Sequence, residues 1–192
     1  MNKKVTACRL LLLTAAGALL VLGLAVFGGA YDVAATRSHW PLTERLLTTV
    51  RERSIARGAS DVSVPPLEDP ALLAEGAQHY DAMCLMCHLG PGVEQTEARA
   101  GLNPRPADLA RRNRHQDPAR DFWIVKHGIR MTGMPAWGST HDDASLWGIV
   151  AFLRKLPELS AAEYADLVAR GAGHSHAGAP ATPEEQGAGD GG

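Results

Sequence analysis

Cys84-Leu85-Met86-Cys87-His88 puts two thiols three residues apart and an imidazole beside the second. In that order the thiols can add to the two vinyl groups of a haem, and the histidine can take the iron. The spacing has a physical reason: on the last turn of a helix the thiols sit near one face, and the adjacent imidazole turns in beneath the porphyrin plane. Zinc is the competing reading, because two thiolates and His88 would fill three of four tetrahedral positions. The chain has only three cysteines, however, and the third, Cys8, lies before a long apolar run. A disulfide between Cys84 and Cys87 would leave His88 unexplained. One covalent haem c accounts for all three residues.

An iron held by His88 needs a second axial ligand or an open position, and that choice separates an electron carrier from a catalyst or gas sensor. Of the five methionines, Met1 opens the chain, and Met83 and Met86 flank the attachment cysteines on the proximal side. Met131 and Met134 remain. Met134 is preferred, because Gly133 lets the backbone approach the haem edge and Pro135 keeps the ligand out of a helix. His127 and His141 are the alternatives for a bis-histidine site. Methionine ligation raises the iron's potential and so predicts a carrier on the oxidising side of a respiratory chain.

Three helices must position these groups. Asp69-Pro70 is a capping residue followed by proline, and Leu73, Gly76, Ala77, Tyr80, Cys84 and Cys87 recur at helical spacing after it. Asp117-Pro118 repeats the signal and opens a short helix through Phe122, Trp123 and Val125 that stops at Gly128. A third helix begins near Asp142 and runs through Leu146, Trp147, Val150 and Leu153 before Pro157. The Gly/Pro-rich connections over about 89–116 and 129–141 are long for a compact domain, so they are expected to wrap a cofactor that supplies missing core.

Charge divides the rest of the chain. Leu10 to Tyr31 is a run of 22 uncharged residues preceded by Lys3, Lys4 and Arg9. About 20 apolar helical residues cross a bilayer, and the basic flank keeps the N-terminus cytoplasmic. The expected division is therefore a cytoplasmic N-terminus (1–9), a transmembrane anchor (10–31), a juxtamembrane stalk and linker (32–68), a haem domain (69–158), an extra C-terminal helix (159–170) opened by the capping box Ser160-Ala161-Ala162-Glu163, and a disordered tail (171–192). Cleavage after Gly28-Gly29-Ala30 as a signal peptide is the alternative to an anchor. In the stalk, Pro41 opens a helix to Gly58 whose apolar stripe, Leu42, Leu46, Leu47 and Val50, adjoins Arg45, Arg51, Arg53 and Arg57. That helix would lie on anionic lipid, with Trp40 at the interface, or pack on the domain. Arg111, Arg112, Arg114 and His115 form a basic run that reads as a partner-docking patch or a solvated face. His174 and His176 in the tail are read as solvated. With 19 basic against 21 acidic residues, the net charge of -2 argues against nucleic-acid binding.

Residues 69–157 closely resemble the class I c-type cytochromes, particularly membrane-anchored bacterial ones with a single haem. Gly76-x-x-x-Tyr80-x-x-x-Cys84 looks like that family's first helix, and Trp147, Val150, Ala151 and Phe152 like the answering face of its last. The resemblance implies that Gly76 permits a close helix crossing and that Tyr80 packs on the C-terminal helix. It also implies that a proline carbonyl, of Pro104 or Pro106, accepts the Nδ1 proton of His88, and that Arg105, Arg130 and Trp137 are candidates for the haem propionates. The stalk and the extra C-terminal helix depart from the common core.

The expectation is an all-α cytochrome c fold: three main helices and long loops around one covalent haem, behind an N-terminal transmembrane helix. Cys84 and Cys87 would bond the haem, His88 and Met134 would ligate its iron, and the activity would be one-electron transfer without substrate chemistry. The expected location is the outer, periplasmic face of a bacterial cytoplasmic membrane. The expected partners are an oxidase, a quinol-oxidising complex or a dehydrogenase. A haem subunit of such a complex and a sensor with an open distal site are the alternatives.

Overall fold

A computed structural model describes residues 3–112 and 117–171 of the chain. All the regular elements assigned among these residues are helices, and the only β feature among them is an isolated bridge between Gly90 and Val93. The chain separates into two units, Met1–Ser38 and His39–Gly192.

The first unit is one long helix, α1 (Lys3–Phe27). Its window from Lys4 to Phe27 has a mean hydropathy of 2.6, and its length and composition suffice to cross a membrane. The helix stops before the end of the uncharged run. Gly29 adopts a φ of 67°, and the amide of Ala30 reaches back to the carbonyl of Ala25. This left-handed turn is open to glycine and leaves residues 28–31 outside the helix.

The second unit opens with α2 (Pro41–Ala59), followed by α3 (Pro70–Met83), the single turn α4 (Leu85–His88), α5 (Glu97–Gly101), α6 (Pro118–His127), α7 (Asp143–Lys155) and α8 (Ala161–Gly171). The predicted start signals act through their side chains. Asp69, Asp117 and Asp142 accept hydrogen bonds from the amides of Ala71, Ala119 and Ser145, satisfying donors that the first turn leaves open. Ser160 and Glu163 form the reciprocal capping box at α8.

The core lies where α3, α7 and α8 meet. A Cβ on Gly76 would overlap the carbonyl of Gly148, so the two helices cross backbone to backbone. One turn on, Tyr80 is fully buried, its ring 5.2 Å from that of Phe152, and its hydroxyl donates to the carbonyl of Leu89 at 2.6 Å. Phe122 of α6 stacks on Trp147 of α7 at 4.1 Å. α8 seals the other side of α3: Tyr164 donates to Asp81 at 2.8 Å, and Gly171 lies so close to Ala74 that no side chain would fit.

α2 also belongs to this unit. Ile55 and Ala59 are buried, and Gly58 lies directly against the indole of Trp123 on α6. The packing alternative for the stalk is thus the observed one, but the residues differ from those the stripe suggested. Leu42, Leu46, Leu47 and Val50 stay exposed, and the contact is made by the C-terminal half of the helix, where Gly58 and Ala59 allow close approach.

Candidate haem site

α3 delivers Cys84 at its C-terminal cap, and α4 carries Cys87 and His88 around the next turn. Neither cysteine is bridged to a partner. Cys84 is buried, and burial, with the neighbouring Cys87 adding to it, pushes its thiol up to about 12. Among the described residues no group of three or more His, Cys, Asp or Glu side chains is placed to hold a metal ion.

The two cysteines and His88 open onto a cavity of about 700 Å³, within the size range of sites that enclose a small organic cofactor. Its walls are the segments that sequence left as long loops. Pro104, Arg105, Pro106 and Ala107 line it from one connection, and Thr132, Gly133, Met134, Pro135 and Trp137 from the other. Met83 lines it from the end of α3, beside Cys84. Met134 is held in a tight turn. Its amide donates to the hydroxyl of Thr132 at 3.1 Å, and its carbonyl accepts from Ile129 at 3.2 Å. Gly128, with a φ of 64°, brings the backbone against that of Pro135. Met131 is 90% exposed and is not among the lining residues. Nor are His127, which lies over Trp123, and His141, which lies against Trp137.

His88 donates from Nδ1 to the carbonyl of Ala107 at 2.9 Å. The expectation of a Pro104 or Pro106 carbonyl is thereby corrected by one residue. The carbonyl of Pro106 is already engaged by Nε of Arg99 at 3.2 Å, and the chain presents the next one to the imidazole. Burial lowers the pKa of His88, the bond to Ala107 opposes that shift, and Arg99 and Arg112 reinforce it. A neutral ring with Nδ1–H so held leaves Nε2 as a lone-pair donor.

The match between site and cofactor rests on this donor set and on one unsatisfied atom. Arg112 is buried and pairs through Nη2 with the buried carboxylate of Asp121 at 2.6 Å, yet its Nε has no hydrogen-bond partner. Burial raises the pKa of Asp121 against the opposing pull of Arg112. Residues 71–153 match the family described as cytochrome c oxidase, cbb3-type, subunit III. The chain carries a c-type cytochrome domain. Such a domain implies covalently bound haem c and haem-based electron transfer. No curated protein sequence and no solved structure matches the chain.

Within the cytochrome domain, Arg105 and Trp137 line the cavity, whereas Arg130 is exposed and lies outside its lining. The basic run divides. Arg111 is exposed, Arg112 is an internal cation, and Arg114 and His115 lie outside the described residues, as do His174, His176 and the tail from 172 onward. Arg120, Asp121, Glu52 and Ile55 are lining residues that sequence reasoning did not select, and Arg51 and Arg112, read there as parts of a basic helix face and a basic run, line the cavity as well. Their signal was weak, because pairing between residues 52 and 120 has no local signature.

Proposed function

We propose that the protein is a one-electron carrier with a single haem c, bonded through Cys84 and Cys87 and ligated by His88 and Met134. The observation that carries this reading is that those four side chains, brought from two segments more than 40 residues apart in sequence, line one cavity. The cofactor supplies a ferric/ferrous couple that exchanges one electron without breaking bonds in a substrate. The residues do the rest. Ala107 orients His88, the Thr132 turn holds Met134, and the apolar walls from Ile124, Val125, Ile149 and Leu153 limit water.

The family description names an oxidase subunit, which supports a membrane oxidase complex as the electron partner. A quinol-oxidising complex or a dehydrogenase would present the same need for a one-electron relay. The long apolar α1, whose first turns carry Lys3, Lys4 and Arg9, supports a single-pass anchor with the haem domain on the outer, periplasmic face of a bacterial membrane. Tethering would raise the effective concentration of the domain near such a partner.

The test is spectroscopic. Mass spectrometry of the mature protein should show one covalent haem and report the true N-terminus. The ferric protein should show a far-red sulfur-to-iron charge-transfer band that Met134→Ala abolishes. Free binding of carbon monoxide by the unaltered ferrous protein would instead indicate an open position and a sensor or catalyst.

A further inference from the structure

The helix that precedes the family-matched region is built into the cavity. Arg51, Glu52 and Ile55 of α2 line it, although the family match begins at residue 71. The helix is fastened there by three independent contacts. Ile55 is buried, Gly58 lies against Trp123, and Glu52 pairs with Arg120 of α6 at 2.6 Å.

We infer that α2 is a wall of the haem site and that its Arg51, with the buried Arg112, receives the two carboxylates of the haem. The inference rests on the haem reading above. Arg112 shows what is missing. Its side chain is 8% exposed, Asp121 uses one arm of the guanidinium, and Nε is buried without an acceptor. A buried charged donor left unpaired is costly, so its natural complement is an anionic oxygen within the cavity. A planar guanidinium suits a carboxylate because two parallel N–H groups meet two oxygens. Arg51 is partly buried on the same cavity, and among the described residues its ion-pair partner is the adjacent Glu52, at 3.1 Å, which Arg120 also holds. Arg51 therefore has donors to offer without breaking the tie that fixes α2.

The test uses the full-length protein with its covalent haem and compares Arg51→Gln with Arg53→Gln, an exposed position on the same helix outside the cavity. A cation beside the haem favours the more negative ferrous state, so Arg51→Gln should lower the midpoint potential. It should also shift the propionate bending mode in the resonance Raman spectrum, while the far-red charge-transfer band persists. Arg53→Gln should change neither. Arg112→Gln should act in the same direction as Arg51→Gln; if the glutamine variant does not accumulate, Arg112→Lys, which keeps the charge but loses the planar fork, should shift the propionate mode while the potential stays near that of the unaltered protein. An Arg51→Gln protein that carries haem but keeps both potential and propionate mode, or shifts them no more than Arg53→Gln does, overturns the inference and leaves the carrier reading intact. A full-length protein without covalent haem overturns both.

Discussion

Single residues at the site are set by what already occupies their neighbours. His88 turns to Ala107 because Arg99 engages the carbonyl before it, and Arg112 turns inward because Asp121 is buried beside it. The same logic governs the thiols. Cys84 is enclosed and its thiol is pushed up to about 12, so little thiolate is present near neutral pH, whereas Cys87 is more open. In folded protein lacking haem, iodoacetamide should label Cys87 well before Cys84, as peptide mass spectrometry would show; equal labelling would contradict the packing described. That Cys84, Cys87, His88 and Met134 gather on one cavity was legible from residue type and spacing. The imidazole's acceptor was not, because neighbouring carbonyls are chemically alike and the choice between them depends on a side chain at residue 99.

Elements show the same division between local and long-range information. Helix starts at Asp69, Asp117 and Asp142 were readable, since a cap is a bond between residues two or three apart. The crossing of α3 and α7 came instead from the family resemblance, which implied a close approach at Gly76 and the packing of Tyr80 on the last helix. That crossing has little tolerance. Gly76→Val would drive its side chain into the backbone of Gly148, and the expected loss is about 3 kcal/mol or more, measurable as a lower midpoint in thermal or denaturant unfolding of the haem-loaded protein. The role of α2 was not legible. Its longest apolar stripe remains exposed, while the packing surface is the small-residue end around Gly58, which hydrophobic patterning ranks low.

At the scale of the whole molecule, the division at Ser38 separates an apolar helix from everything that lines the cavity. Residues 39–192 should therefore mature to a haem-loaded, detergent-independent protein when exported behind a cleavable signal, with the spectrum of the full chain. Truncation beyond α2, starting at residue 61, should lower the unfolding midpoint and expose the haem to solvent, because it removes Ile55 and the Glu52–Arg120 pair. Absorption and unfolding curves of the two truncations would distinguish these outcomes. The basic run at 111–115 illustrates why composition alone misleads at this scale: charge clustered in sequence is dispersed in space, with Arg111 outside and Arg112 within.

The order of segments along the chain has a kinetic consequence. α3, which ends at Cys84, finds its two main packing partners in α7 and α8, some 60 to 80 residues downstream. Contacts so distant in sequence form late, after the intervening loop has been synthesised. Until then the glycine face of α3 has no mate, and the thiol of Cys84 lacks the packing that buries it. Docking of the final two helices ends that period, so the segment that carries Cys84 and Cys87 is enclosed only once the last elements of the fold are in place.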